Sequence, residues 1–248
     1  MKIKADLHIH SALSPCASLE MSPSAIVRRA KELGLDLIAV TDHNCMENVF
    51  YAASAGAKLG LTVWFGMEAQ TREEVHVLCL FDHKKKAEKF NRQMYDFLPA
   101  VPNNPDFFGD QVVVDEQDNI VRTEPKLLIN ALELSITELL EAVRRCGGRV
   151  IPAHVESMRF GLLGMLGMIP PELGECLLEV TYSSREAEVI ERFPELAGRA
   201  LVSNSDSHSL NEMGRAWTVY DSTQPTLAAL YQAGRDHRFK TERKKRHG

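Results

Sequence analysis

Within the first ten residues, Asp6-Leu7-His8-Ile9-His10 sets two histidines at i and i+2. Residues so spaced in an extended chain share a face, so a strand from Lys2 to Ile9 would present His8 and His10 side by side at its carboxyl end. Neutral imidazole is the commonest side-chain metal ligand, yet two nitrogens do not by themselves hold a divalent ion. The remaining donors must come from elsewhere in the chain. Candidates recur at or near the ends of other predicted strands: Asp42-His43, Glu68, His76, His154 and Asp206-Ser207-His208. A lone histidine at a strand end is more often a hydrogen-bonded core residue, but six of them with the carboxylates of Glu68 and Asp206 point to a metal centre.

The elements that must position these residues alternate. Ser22-Pro23 has the chemistry of a helix start and Gly34 that of a stop. Asp36 to Thr41 is a short apolar run of the kind a buried parallel strand has. A helix is expected over 47–60, strands over 61–66 and 75–81, and a polar helix from Lys84 to about Leu98. The stretch 99–125 breaks the rhythm with several prolines and a hairpin pattern over 111–122, read as a surface insertion or a lid over the site, with the plainer insertion preferred. Alternation resumes with a capping-box pattern, Ser135-Ile136-Thr137-Glu138, opening a helix to Cys146. Strands are then expected at 149–153, 176–181, 200–204 and 217–220, with helices at 184–193 and 226–235. Short apolar strands separated by helices predict an α/β fold, a closed or nearly closed barrel of parallel strands and outer helices, formed by one domain over 1–248. Chemistry in such barrels sits at the carboxyl ends of the strands.

Composition narrows the function classes. The formal net charge of −5 gives no reason to expect a long nucleic-acid backbone as partner. Lys84-Lys85-Lys86 and the basic tail within 240–248 are read as solvated surface. The five cysteines are odd in number and form no Cys-x-x-Cys pair, which argues against a disulfide framework and a structural zinc knuckle. No apolar run approaches the roughly 20 residues of a membrane span, and the chain opens directly into a strand, so a cytoplasmic protein without membrane contact is expected. Nothing in the sequence assigns an oligomeric state.

Taken in order, Asp6-Leu7-His8-Ile9-His10-Ser11, Thr41-Asp42-His43, Gly66-Met67-Glu68 with His76, Ala153-His154 and Ser205-Asp206-Ser207-His208 resemble the motifs of the PHP (polymerase and histidinol phosphatase) family across nearly the whole chain. The resemblance implies a distorted (β/α)7 barrel with a trinuclear site for divalent zinc, iron or manganese. His8, His10, Glu68 and Asp206 would hold one ion, Glu68 would bridge to a second held by His76 and His154, and His43 with His208 would hold a third. One departure concerns the loop after the first motif, where family members often have Asp or His and this chain reads Ser14-Pro15-Cys16. Pro15 has no donor. Either Cys16 substitutes as a thiolate, favouring zinc or iron, or the third ion is weakly held and Cys16 is a small buried residue.

The implied reaction is hydrolysis of a phosphate ester by a metal-bound hydroxide, the ions also neutralising the phosphoryl oxygens. The substrate expected is a small phosphorylated metabolite or nucleotide. Asp206 and His208 are candidates for proton handling, and Asp42 for orienting a ligand or accepting a proton. Arg159, Arg215 and Ser205 are candidates for contact with substrate. Two other readings compete. The amidohydrolase barrel also opens on His-x-His but commonly bridges its metals with a modified lysine where this chain has Glu68, and a catalytically silent regulatory domain would be marked by lost ligands.

Overall fold

The computed structural model describes residues 1–243; most of the basic tail and His247 lie outside the described residues. In chain order the elements are β1 (Lys2–Ile9), α1 (Pro23–Glu32), β2 (Leu37–Val40), α2 (Glu47–Lys58), β3 (Thr62–Gln70), β4 (His76–Phe81), α3 (Lys84–Phe97) and α4 (Pro105–Phe108). There follow β5 (Val112–Val114), β6 (Ile120–Thr123), α5 (Ile136–Arg145), β7 (Arg149–Pro152), α6 (Leu162–Leu166), β8 (Leu178–Glu179), α7 (Glu186–Arg192), β9 (Leu201–Val202), β10 (Ala216–Asp221), α8 (Leu227–Arg235) and β11 (Phe239–Arg243). Local chemistry sets several boundaries. The Ser22 hydroxyl accepts from Ala25 N at the start of α1, and Ser135 and Glu138 close a reciprocal capping box on α5.

A seven-stranded sheet runs β11-β10-β1-β2-β3-β4-β7, and β8 pairs separately with β9. Backbone bonds just past the strand ends join the two. Val155 N donates to Glu179 O at 2.8 Å, joining β7 to β8, and His10 N to Ser207 O at 2.9 Å, joining the chain after β9 to β1. The staves β1, β2, β3, β4, β7, β8 and β9 therefore curl into a ring, the distorted barrel expected. Side chains contributed all round it, among them Ala5, Leu37, Trp64, Leu78, Ile151, Leu177 and Val202, pack into one interior cluster. A second, larger cluster lies between the sheet and helices that include α1, α2, α3 and α5.

The strands are not all parallel. β1, β2 and β3 are, but β4 is antiparallel to both β3 and β7. The physical reason is length: β3 runs on through Met67-Glu68-Ala69-Gln70, and the short link to His76 cannot make the crossover of a dozen or more residues that a parallel partner needs. Reversal puts the first residue of β4, not its last, at the ligand end of the barrel. The antiparallel pair β10 and β11 extends the sheet beyond the lower half of β1.

The insertion forms α4 and the β5–β6 hairpin. It is stitched to the loop after β1, since Val112 N donates to Ala12 O at 3.0 Å and Asn48 bonds both Val112 O and Val114 N. Among the described residues no helix is long and apolar enough to cross a membrane.

Candidate metal centre

Glu68 lies at the middle of the upper rim. Strand alternation turns it to the same side as His76 across the hairpin, where Gln70 pairs with His76 and Glu68 with Leu78. Its Oε1 is 3.3 Å from His8 Nε2, 2.9 Å from His76 Nδ1 and 3.3 Å from His154 Nε2; its Oε2 is 3.4 Å from His10 Nε2 and 3.2 Å from His43 Nδ1. Asp206 Oδ1 sits 3.3 Å from His8 Nε2 and 3.4 Å from His10 Nε2, and the ring of His208 stacks on that of His10 with centroids 4.2 Å apart. The eight residues picked out as ligands thus converge on one volume. His154 and Asp206 reach it with left-handed backbone, φ 31° and 48°, conformations that cost energy in non-glycine residues and cluster at functional sites.

The arrangement is unsatisfied without cations. His43 Nδ1, His76 Nε2 and His154 Nδ1 are buried with no hydrogen-bond partner among the described residues, and the Nε2 atoms of His8 and His10 face each other at 3.2 Å. Of these, His43 Nδ1 and the Nε2 atoms of His8 and His10 face the Glu68 carboxylate, and nitrogens crowded and unsatisfied around an acid are what divalent ions would resolve; His76 and His154 turn their other ring nitrogens to it. Three overlapping groups have the spacing of ligands about an ion: His8, His10 and Glu68; His43, Glu68 and His76; and His10, Cys16, His43 and His208. The donor set, imidazole and carboxylate with one thiol, suits first-row transition ions better than magnesium or calcium.

Electrostatics follow the same geometry. Burial alone would push the Glu68 carboxyl up, but the imidazoles of His76, His8 and His43 overcome it and hold the group well below the usual range. Asp206 is likewise opposed by burial and held ionised, first by His8 and then by His10. Burial works against a charge on His8, yet Glu179, Asp206 and Glu68 together raise it well above an ordinary imidazole. His208 is pulled down to about 4 by burial and by the nearby His10.

Several supporting groups escaped the sequence reading. Glu179, buried in β8, accepts from His8 Nδ1 at 2.9 Å, from His154 N at 3.1 Å and from Asn204 Nδ2 at 2.7 Å. It fixes the His8 tautomer so that Nε2 faces the centre. The available signal was an acid inside the apolar run Leu177-Leu178-Glu179-Val180. Phe160 stacks on His76 with ring centroids 4.5 Å apart. Asp42 accepts from Ser11 N, Ser11 Oγ and Ser14 Oγ at 2.6 to 2.7 Å, and Ser14 Oγ is 3.0 Å from His10 Nδ1. The Asp42 carboxylate therefore reaches the ring of His10 through Ser14, while its backbone carbonyl accepts from Glu68 N at 3.0 Å.

The three residues proposed to meet substrate lie differently. Ser205 is fully buried, its N bonded to Asp6 Oδ1 and its hydroxyl to His8 O, so it braces β1 from behind and does not line an opening. Arg215 pairs with Glu212 and lies over Tyr182, and Glu212 in turn accepts from His208 N at 2.8 Å. Arg159 is exposed.

Comparison with known proteins bears on the family. The PHP domain model matches residues 6–122 and the PHP-associated model residues 186–238. A DNA polymerase III PolC-type of Listeria welshimeri is 38% identical over 66 residues, 27% of this chain and 4% of that protein. A 3′,5′-nucleoside bisphosphate phosphatase of Chromobacterium violaceum is 35% identical over 78 residues, 30% of this chain and 26% of the phosphatase. This chain thus matches only a small part of the length of these relatives. The structure of the lesion-specific endonuclease PfuEndoQ from Pyrococcus furiosus superposes with a TM-score of 0.70 at 19% identity, over 95% of this chain and 56% of the endonuclease, a likeness of fold. The five ordered motifs, the seven-staved ring and the two family models agree, and the chain belongs to the PHP family.

Proposed function

We propose that this protein is a metal-dependent phosphoesterase that hydrolyses a small phosphorylated metabolite or nucleotide. The observation that carries the reading is a single buried carboxylate, Glu68, within 3.4 Å of five imidazole nitrogens, a set that fits more than one dication. His8, His10, Glu68 and Asp206 would hold one ion, Glu68 with His76 and His154 a second, and His43 with His208 a third. When bound, the ions would supply positive charge for the phosphoryl oxygens and activate water near neutral pH.

The chain's own residues do the rest. Asp206 and His208 have side chains 36% and 31% exposed, the most open of these ligands, and are placed to exchange a proton with water or substrate. Asp42, through Ser14, sets the ring of His10 and acts by positioning. All eight core ligand positions are filled and only the loop position at Cys16 is altered, which favours an active enzyme over a silent regulatory domain, and Glu68 in the bridging place favours a phosphoesterase over an amidohydrolase. The Chromobacterium relative supports a nucleotide-like substrate. Five free cysteines support a cytoplasmic location.

The test is a substrate panel on protein reconstituted with zinc, iron or manganese: an aryl phosphate, a nucleoside bisphosphate, an amide, a lactone and duplex DNA with an abasic site. Phosphate release from the small esters is expected, abolished by chelation and by His154→Ala with the circular dichroism unchanged. Cleavage of DNA alone would replace the small-molecule reading, hydrolysis of amides or lactones alone would restore the amidohydrolase, and inertness with every ion would mark a silent domain.

A further inference from the structure

Cys16 is solvent-exposed, not the small buried residue that one reading of its loop would make it. Its sulfur lies within 4.8 Å of ring nitrogens of His10, His43 and His208, which are themselves within that distance of one another. Donors around a tetrahedral zinc stand roughly 3.3 to 3.6 Å apart given Zn–N near 2.0 Å and Zn–S near 2.3 Å, so the cluster needs about 1.5 Å of contraction at most. We propose that Cys16 is a ligand of the outermost ion, held with His43 and His208, and that it makes this position select zinc or another thiophilic ion over manganese and magnesium. The inference rests on the metal centre proposed above and adds to it a sulfur donor and a metal preference.

Independent features hold Cys16 in place. Ser14 N donates to Ser11 O at 3.0 Å and Ala17 N to Ser14 O at 2.9 Å, so the loop bearing Cys16 is two successive turns. Ser18 N donates to His208 O at 2.8 Å, tying that loop directly to the one carrying a partner ligand. On its other side Gly109, φ +100°, lies so close that a Cβ there would stand 2.2 Å from Pro15 O. The insertion therefore presses the Cys16 loop against the centre with no room for a side chain between them. His43 belongs both to this group and to the one around Glu68, where its buried Nδ1 stands 3.2 Å from the carboxylate, so its ring joins the Cys16 position to the inner centre.

The preference follows from ligand softness. Coordination converts the thiol to thiolate and releases its proton to solvent, and a thiolate favours zinc, iron or cobalt where a carboxylate in the same loop would suit manganese or magnesium. His10 Nε2 already faces His8, Glu68 and Asp206. The outer ion would then take three donors from the chain and keep a place open towards solvent, as catalytic zinc does.

The experiment uses the full chain stripped of metal and titrated with cobalt(II). The wild type is expected to develop a thiolate-to-cobalt charge-transfer band in the near ultraviolet, together with the ligand-field bands of nitrogen and oxygen sites. Cys16→Ser should lose the former and keep the latter, and Cys176→Ser, which alters the partly exposed cysteine remote from the group, should keep both. By elemental analysis, zinc at the weakest site should fall in affinity by more than the roughly 10–100-fold that losing a partner behind a ligand costs, and Cys16→Asp should restore occupancy with manganese. A charge-transfer band that persists in Cys16→Ser, or zinc stoichiometry and affinity equal to wild type, would overturn the proposal while leaving the inner centre standing. Absence of ligand-field bands as well would overturn both.

Discussion

A carboxylate surrounded by imidazoles depends on what stands behind each ring. His8 is the clearest case, because Glu179 accepts from its Nδ1 and leaves Nε2 directed at Glu68 and Asp206. Glu179→Gln keeps the shape, removes the charge that makes His8 a stronger base, and sets an amide against the amide of Asn204. Metal affinity is expected to drop about 10–100-fold, read by competition with a chromophoric chelator, with the circular dichroism of the apo protein unchanged. Unaltered affinity would show that His8 needs no such support. The eight residues that converge around Glu68 were legible in the sequence because imidazoles and acids stand out at the ends of apolar runs. Glu179 was not, since one acid within a strand looks the same whether it faces solvent or a buried ring. Ser205 shows the converse error: a hydroxyl beside a ligand invites a role with substrate, yet its bonds to Asp6 and His8 turn it inward.

At the level of elements, the alternation of strand and helix gave the barrel, and capping chemistry gave the starts of α1 and α5. What it could not give was direction. A strand has the same apolar pattern whichever way it runs, so only the length of the link between β3 and β4 betrays the hairpin, and that length depends on how far β3 continues past Gly66. The close parallel neighbour β2 explains why residue 66 is glycine. A Cβ there would lie 2.4 Å from Thr41 Cγ2 and 2.8 Å from Val40 O, forcing β2 and β3 apart two residues from Glu68. Gly66→Ala is expected to cost about 1–3 kcal/mol by overpacking, measured as a lower urea midpoint, and to weaken metal binding as His43 and Glu68 separate. A neutral outcome would mean that the two strands part without strain.

Across the whole molecule, several titrating side chains outside the candidate metal centre are shut in the core. Burial raises the Cys45 and Cys79 thiols and the Tyr231 phenol, and Tyr231 Oη donates to Val150 O. Raised values in the fold mean that below about pH 8.5 both folded and unfolded chains keep the thiols neutral, and stability does not depend on them. Above that pH the unfolded chain ionises while the fold does not, so stability should fall as pH rises, by up to about 1.4 kcal/mol per pH unit for each group. Cys79→Ala should flatten the decline between pH 9 and 11 relative to wild type, and Tyr231→Phe should do so above pH 10, both followed by urea unfolding. Parallel declines in variant and wild type would remove these groups as the cause.

The seam between β9 and β1 carries a further consequence. Leu7 N bonds Asn204 Oδ1 across 197 residues of chain, and His10 N bonds Ser207 O beside it, whereas Glu68 and His76 meet within one hairpin. A ribosome must therefore release most of the polypeptide, through His208, before the donors of opposite flanks can enclose a cation. Any ion picked up earlier by the nascent hairpin would be held by a partial set of donors and would exchange with the cell's free metal, so the metal content would be decided when the ring shuts.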